Sequence, residues 1–143
     1  MLNKGSSLYG QIGWIEEPFG LRSTFTEYTT SDLQFHRKTF TAEPVDSVHR
    51  YTTLFGNGQF TFQLDGMTVN TAPGQFTPNE GEVFGETHSL DDQMPGATNK
   101  HETFLNTLIL HYGVWYGFNG IGEETTDTAH YSTGGIYALD IWY

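Results

Sequence analysis

The chain has 143 residues, a formal net charge of −11 from 17 acidic against 6 basic side chains, and no cysteine. That charge excludes general nucleic-acid binding and disfavours anionic membrane surfaces, because both present like charge. The missing thiols exclude disulfides, thiolate metal sites and cysteine nucleophiles, and the length suits one domain, 1–143.

Aromatic residues reach 15% while all hydrophobic residues make only 36%, so Phe, Tyr and Trp carry more of the core volume than aliphatics. Glycine and threonine are abundant and Ala and Lys are few, a bias toward strands and tight turns rather than helices. The start, Met1-Leu2-Asn3-Lys4-Gly5-Ser6-Ser7, lacks the apolar segment of a secretory signal, and no run approaches membrane-spanning length. A cytoplasmic protein is the default expectation.

Period-2 alternation, broken by turn chemistry at short intervals, recurs along the chain. A first strand is predicted from Leu8 to Ile15, closed by Glu16-Glu17-Pro18-Phe19-Gly20. Leu21 to Tyr28 and Leu33 to Thr41 read as a hairpin across Thr30-Ser31-Asp32. Val48 to Phe55 follows, then Gly56-Asn57-Gly58. The clearest signal is Phe60-Thr61-Phe62-Gln63-Leu64, Asp65-Gly66, Met67-Thr68-Val69, since Asp-Gly suits a type I′ turn between alternating strands. Residues 70 to 80 read as a loop and Glu82 to His88 as a strand. Ser89 to Lys100 is the longest stretch without periodicity, and the 89–102 segment is expected to border the mouth of a cavity. Thr103 to Tyr112 is a strong strand running toward Phe118. After the turn Asn119-Gly120-Ile121-Gly122, Glu124 to Ser132 returns and Ile136 to Tyr143 closes the fold.

Eight to ten short-looped antiparallel strands must close or stack, because long exposed edges invite aggregation. Mostly sequential hairpins favour an all-β, up-and-down β-barrel, with a β-sandwich or jelly roll as the alternative. The aromatic stretch Gly113-Val114-Trp115-Tyr116 follows the apolar run Phe104 to Leu110. It resembles the Gly-x-Trp signature of lipocalins and related calycins. That resemblance implies a Trp plugging one end of a barrel that holds an apolar ligand. The family motif lies near the N-terminus, whereas this one lies near the C-terminus. No basic side chain follows Trp115 to play the part of the family's late-strand Arg.

Arg22, Arg37 and Arg50 fall on three successive predicted strands. A turn at Ser31-Asp32 sets Thr26 opposite Arg37 and puts Arg22, Thr24, Thr26, Tyr28, Phe35, Arg37 and Thr39 on one face, with Glu27 across from His36 on the other. An inward Arg37 beside Tyr28 and Trp115 would anchor a carboxylate or enolate. The candidate catalytic residues are therefore Arg37, Tyr28, His111 and Glu86. The candidate ligand contacts are Trp115, Tyr116, Phe35, Phe62 and Trp142. No metal site is expected: His-x-His is absent, and Asp91, Asp92, Asn99 and Glu102 lack EF-hand spacing. Neither a phosphate loop, a dinucleotide fingerprint nor a Gly-x-Ser-x-Gly elbow occurs, so no cofactor is implied.

Three functions remain open on these residues. The first is a container for a hydrophobic small molecule, either a carrier or a cofactor-free cyclase, isomerase or dehydratase-type lyase. The second is a carbohydrate-binding sandwich using Trp14, Trp115 and Trp142 as platforms. The third is a structural or assembly protein, for instance of a viral particle. Self-association into a homo-oligomer is compatible with each.

Overall fold

The computed structural model describes residues 1–5, 7–17, 20–42, 46–85, 98–117, 130–133 and 138–142. Among them the chain is all-β, with antiparallel pairing throughout and no helix. No helix among the described residues is long and apolar enough to cross a membrane. The strands gather into two compact units, Met1–Glu82 and Val83–Tyr143.

The first unit holds β1 (Leu2–Lys4), β2 (Leu8–Glu17), β3 (Leu21–Thr29), β4 (Phe35–Ala42), β5 (Tyr51–Gly56), β6 (Gln59–Leu64), β7 (Met67–Pro73) and β8 (Glu80–Gly81). They form a five-stranded sheet in the order β4-β3-β2-β1-β8 and a three-stranded sheet in the order β5-β6-β7. None of the sheets closes on itself among the described residues, so the expected barrel closure is not formed by these strands. The reason lies in the connections. After β4 the chain leaves the first sheet, builds three strands elsewhere, and returns at β8 beside β1 rather than continuing round.

Alternation explains where the core sits. Phe60 and Phe62 point to one face of β6 and are completely buried, with Ala72 and Phe76 beside them. Leu2, Leu8, Ile12 and Tyr28 of the five-stranded sheet pack against this cluster. Phe60 meets Phe55 edge-on at 5.1 Å and Phe76 at 5.5 Å between ring centroids, separations at which ring quadrupoles attract. Asn70 Nδ2 donates to the buried Thr26 hydroxyl at 2.9 Å, so a polar bond joins the two sheets beside the rings.

Gly10 lets this packing happen. A Cβ built there would lie 2.9 Å from two carbons of the Phe60 ring, closer than real contacts allow. Gly10→Ala is thus expected to lower stability by about 1–3 kcal/mol through overpacking. Urea unfolding followed by circular dichroism measures it. An unchanged midpoint would mean that Phe60 has room to move aside.

The Asp65-Gly66 hairpin forms as the sequence predicts, with φ of 51° and 83° at its two central residues and Leu64 paired to Met67. Asn57-Gly58 makes a second turn of the same kind, φ 51° and 68°, between Gly56 and Gln59. The expected 70–80 loop is shorter than predicted, because β7 runs on to Pro73 and β8 adds a short pair with β1. Within Glu82 to His88, residues 82–85 form no strand, and 86–88 lie outside the described residues.

The second unit contains β9 (Glu102–Leu105), β10 (Leu108–His111), β11 (Val114–Gly117), β12 (His130–Thr133) and β13 (Ala138–Trp142). β12-β13-β9 form one sheet, with Ile141 buried in it, and β10-β11 form another. The predicted single strand from Thr103 is therefore cut twice. Asn106 takes a left-handed conformation, φ 53°, and Tyr112-Gly113 makes a two-residue turn with φ of 48° and 79°. Both turn residues need positive φ in a type I′ hairpin; Gly113 adopts it freely, and Tyr112 bears the strain.

Candidate functional site

The hairpin of β3 and β4 places Arg37 differently from the sequence expectation. Glu27, not Thr26, stands opposite Arg37, and Tyr28 stands opposite His36. The loop holds three residues, Ser31-Asp32-Leu33, closed by Thr30 N–H donating to the Gln34 carbonyl at 3.1 Å. Leu33 occupies the left-handed position, φ 62°, which glycine normally fills in such loops. One extra loop residue shifts the register by one, and a one-residue slip sends each β4 side chain to the opposite face. Arg37 consequently shares a face with Glu27, Phe25 and Phe35, while Tyr28 points to the Phe60 core.

On that outer face Glu27 is 2% exposed. Gln11 Nε2 donates to its Oε2 at 2.7 Å and Arg37 Nε donates to its Oε1. The Arg37 guanidinium also lies 5.4 Å from the Phe35 ring centre and 5.7 Å from that of Phe25. The charge that an external anion would need is thus already neutralised by the chain's own carboxylate. Sequence reasoning missed Glu27 and Gln11 as partners because both depend on the register. Arg22 is likewise engaged, 2.5 Å from Glu16 and over the Trp14 ring at 5.3 Å.

The other candidates are scattered. Tyr28 stacks on His36 at 4.7 Å. Phe62 fills the core and Phe35 is half-exposed at the edge of the sheet. Trp142 stacks face to face on His101, 3.9 Å between ring centres, with His130 at 5.8 Å. His111 is exposed beside Tyr112. Glu86 and most of the 89–102 segment lie outside the described residues; the part that is described ends in β9 at Glu102. Among the described residues no group of three or more His, Asp or Glu side chains could hold a metal ion. An open groove of about 680 Å³ runs along Leu54, Gln59, Thr61, Thr71 and Pro73 on β5 to β7.

A polar clamp outside the predicted set joins the segment before β5 to the Asp65 turn. Arg50 N–H donates to Asp65 Oδ1 at 2.8 Å, Asp65 N–H donates to the Arg50 carbonyl at 2.9 Å, and His49 Nδ1 lies 2.8 Å from Asp65 Oδ2. The Arg50 N–H, then His49, hold the Asp65 carboxyl below its usual value of 3.8. A lowered folded pKa contributes stability above the usual value, and that contribution disappears as pH falls through the folded pKa. The Arg50 amide resonance is therefore expected to titrate with a midpoint below 3.8. A midpoint at or above that value, or the same titration in Asp65→Asn, would remove the clamp as its cause.

The feature that stands out is the β10–β11 hairpin. Leu110 pairs with Trp115, Ile109 with Tyr116 and Leu108 with Gly117. Leu108, Leu110, Tyr112, Val114, Trp115 and Tyr116 are all exposed, Trp115 at 58% and Tyr112 at 93%. Leu108, Leu110 and Trp115 share one face of the hairpin and Val114 and Tyr116 the other, so apolar side chains are open to solvent on both faces. Residues 103–118 contain no Asp, Glu, Lys or Arg. Lys, Pro and charge are the usual guards of an exposed strand edge, and here they are missing.

Comparison of the chain with protein-family models, with curated proteins and with solved structures returned no match. The lipocalin resemblance thus rests on Gly113 to Tyr116 alone, where Gly113 is a turn residue and Trp115 is exposed.

Proposed function

We propose that this protein is a structural or assembly component whose β10–β11 hairpin is covered by protein when the chain is at work. The observation that carries the reading is the exposed, uncharged, aromatic and aliphatic hairpin. A sugar platform needs hydrogen-bonding side chains around its aromatic ring, but Trp115 stands opposite Leu110, with Leu108 next along the same face. An apolar protein surface suits such neighbours better. A container needs an enclosed space, whereas Phe60, Phe62, Phe55 and Phe76 fill the interior between the two sheets of the first unit. The fold reading that accompanies this function is a two-layer sandwich for Met1–Glu82, supported by those rings lying between two open sheets.

Gradient sedimentation of extracts from cells making the chain tests the reading. The wild type is expected in fractions well above monomer mass, and the double variant Leu110→Lys/Trp115→Lys near monomer mass, with matching circular dichroism. Co-sedimentation of the two chains would sink the proposal. Saturable quenching of Trp emission by a hydrophobic aromatic, retained in the double variant, would return the container reading in its place.

A further inference from the structure

The geometry points to a second copy of this chain as the hairpin's partner, through antiparallel pairing of β11 with β11; this inference rests on the assembly reading above. The backbone groups of β11 point toward such a partner. The two-residue turn makes His111 and Val114 a hydrogen-bonded pair, so bonding alternates outward along the hairpin. Ile109 and Tyr116 bond across the hairpin, and the N–H and C=O of Trp115 and Gly117 point away from β10. Among the described residues no strand lies on that side.

The edge of β11 is also self-complementary. A two-fold axis at Tyr116 sets Trp115 of one copy opposite Gly117 of the other, and each such pair exchanges both of its backbone bonds. Trp115 and Gly117 alternate onto the same face, so the indole of one copy lies over the bare backbone of its partner, the way an aromatic covers a cross-strand glycine. The four-stranded sheet that results gathers Leu108, Leu110 and Trp115 from both copies on one face. Charge favours the same contact. The chain carries −11, so most faces of two copies repel, but 103–118 brings no formal charge to the contact. A strongly basic partner, the natural complement of an acidic chain, finds nothing to attract it in this stretch.

Analytical ultracentrifugation of the purified chain over a wide concentration range is the test, with two variants. Trp115→Lys puts a charge at the edge. Gly117→Pro keeps every apolar side chain and deletes an outward N–H that the hairpin itself does not use, a place where an edge strand tolerates proline. The wild type is expected to dimerise, and each variant to weaken dimerisation at least tenfold while keeping the wild-type circular dichroism. Dimers that survive Gly117→Pro but not Trp115→Lys would overturn edge pairing in favour of face packing. A purified wild type that stays monomeric, while extracts still show the hairpin-dependent complex, would overturn self-pairing and leave the assembly reading standing. Monomers in both settings would end both.

Discussion

Phe60→Ala is expected to lower the stability of the Met1–Glu82 unit by about 4 kcal/mol, within the range for emptying a buried Phe site. Phe60 is fully buried and touches Phe55, Phe62 and Phe76, so the substitution removes three ring contacts as well as its own burial. Little can collapse into the space. Across it stands Gly10, which has no side chain to offer, on a strand pinned between two neighbours. For a domain of ordinary marginal stability such a loss is a large fraction of the total. Urea unfolding should show a lower midpoint with an unchanged slope. A loss under about 1 kcal/mol, less than any usual Phe truncation, would show that the cluster is not a closed core.

The second large effect concerns Arg37. Arg37→Met is expected to destabilise the same unit by about 3 kcal/mol, the low end for breaking a buried pair because the Arg37 side chain keeps 29% of its surface in solvent. The damage comes from what remains. Glu27, 2% exposed when Arg37 is beside it, would be left with Gln11 as its remaining described donor. Adding Glu27→Gln should therefore recover a good part of the loss, since an amide tolerates burial far better than an unpaired carboxylate. A double-mutant cycle reads the coupling directly. The anion-anchor expectation differs: it has Arg37→Met leaving the fold intact and weakening ligand binding or turnover at least tenfold, about 1.4 kcal/mol. Wild-type stability in the single variant would detach Arg37 from Glu27 and restore that expectation.

Local chemistry made part of this molecule legible from sequence. Asp65-Gly66 specifies its turn because both residues accept positive φ, and the alternation of Phe60, Thr61, Phe62 and Gln63 then decides which face is buried. All-β character follows from the same short-range preferences. Two things were decided only in three dimensions. The β3–β4 register depends on a left-handed residue that is Leu33 rather than glycine, so the sequence carried no mark of the longer loop, and the fate of Arg37 and Glu27 turned on it. The second is the exposure of Trp115. An apolar run looks alike whether it fills a core or lies open, and Tyr112-Gly113 is a weak turn signal beside Asp-Gly. Burial depends on which other strands arrive to cover a strand, and the described strands leave this hairpin bare.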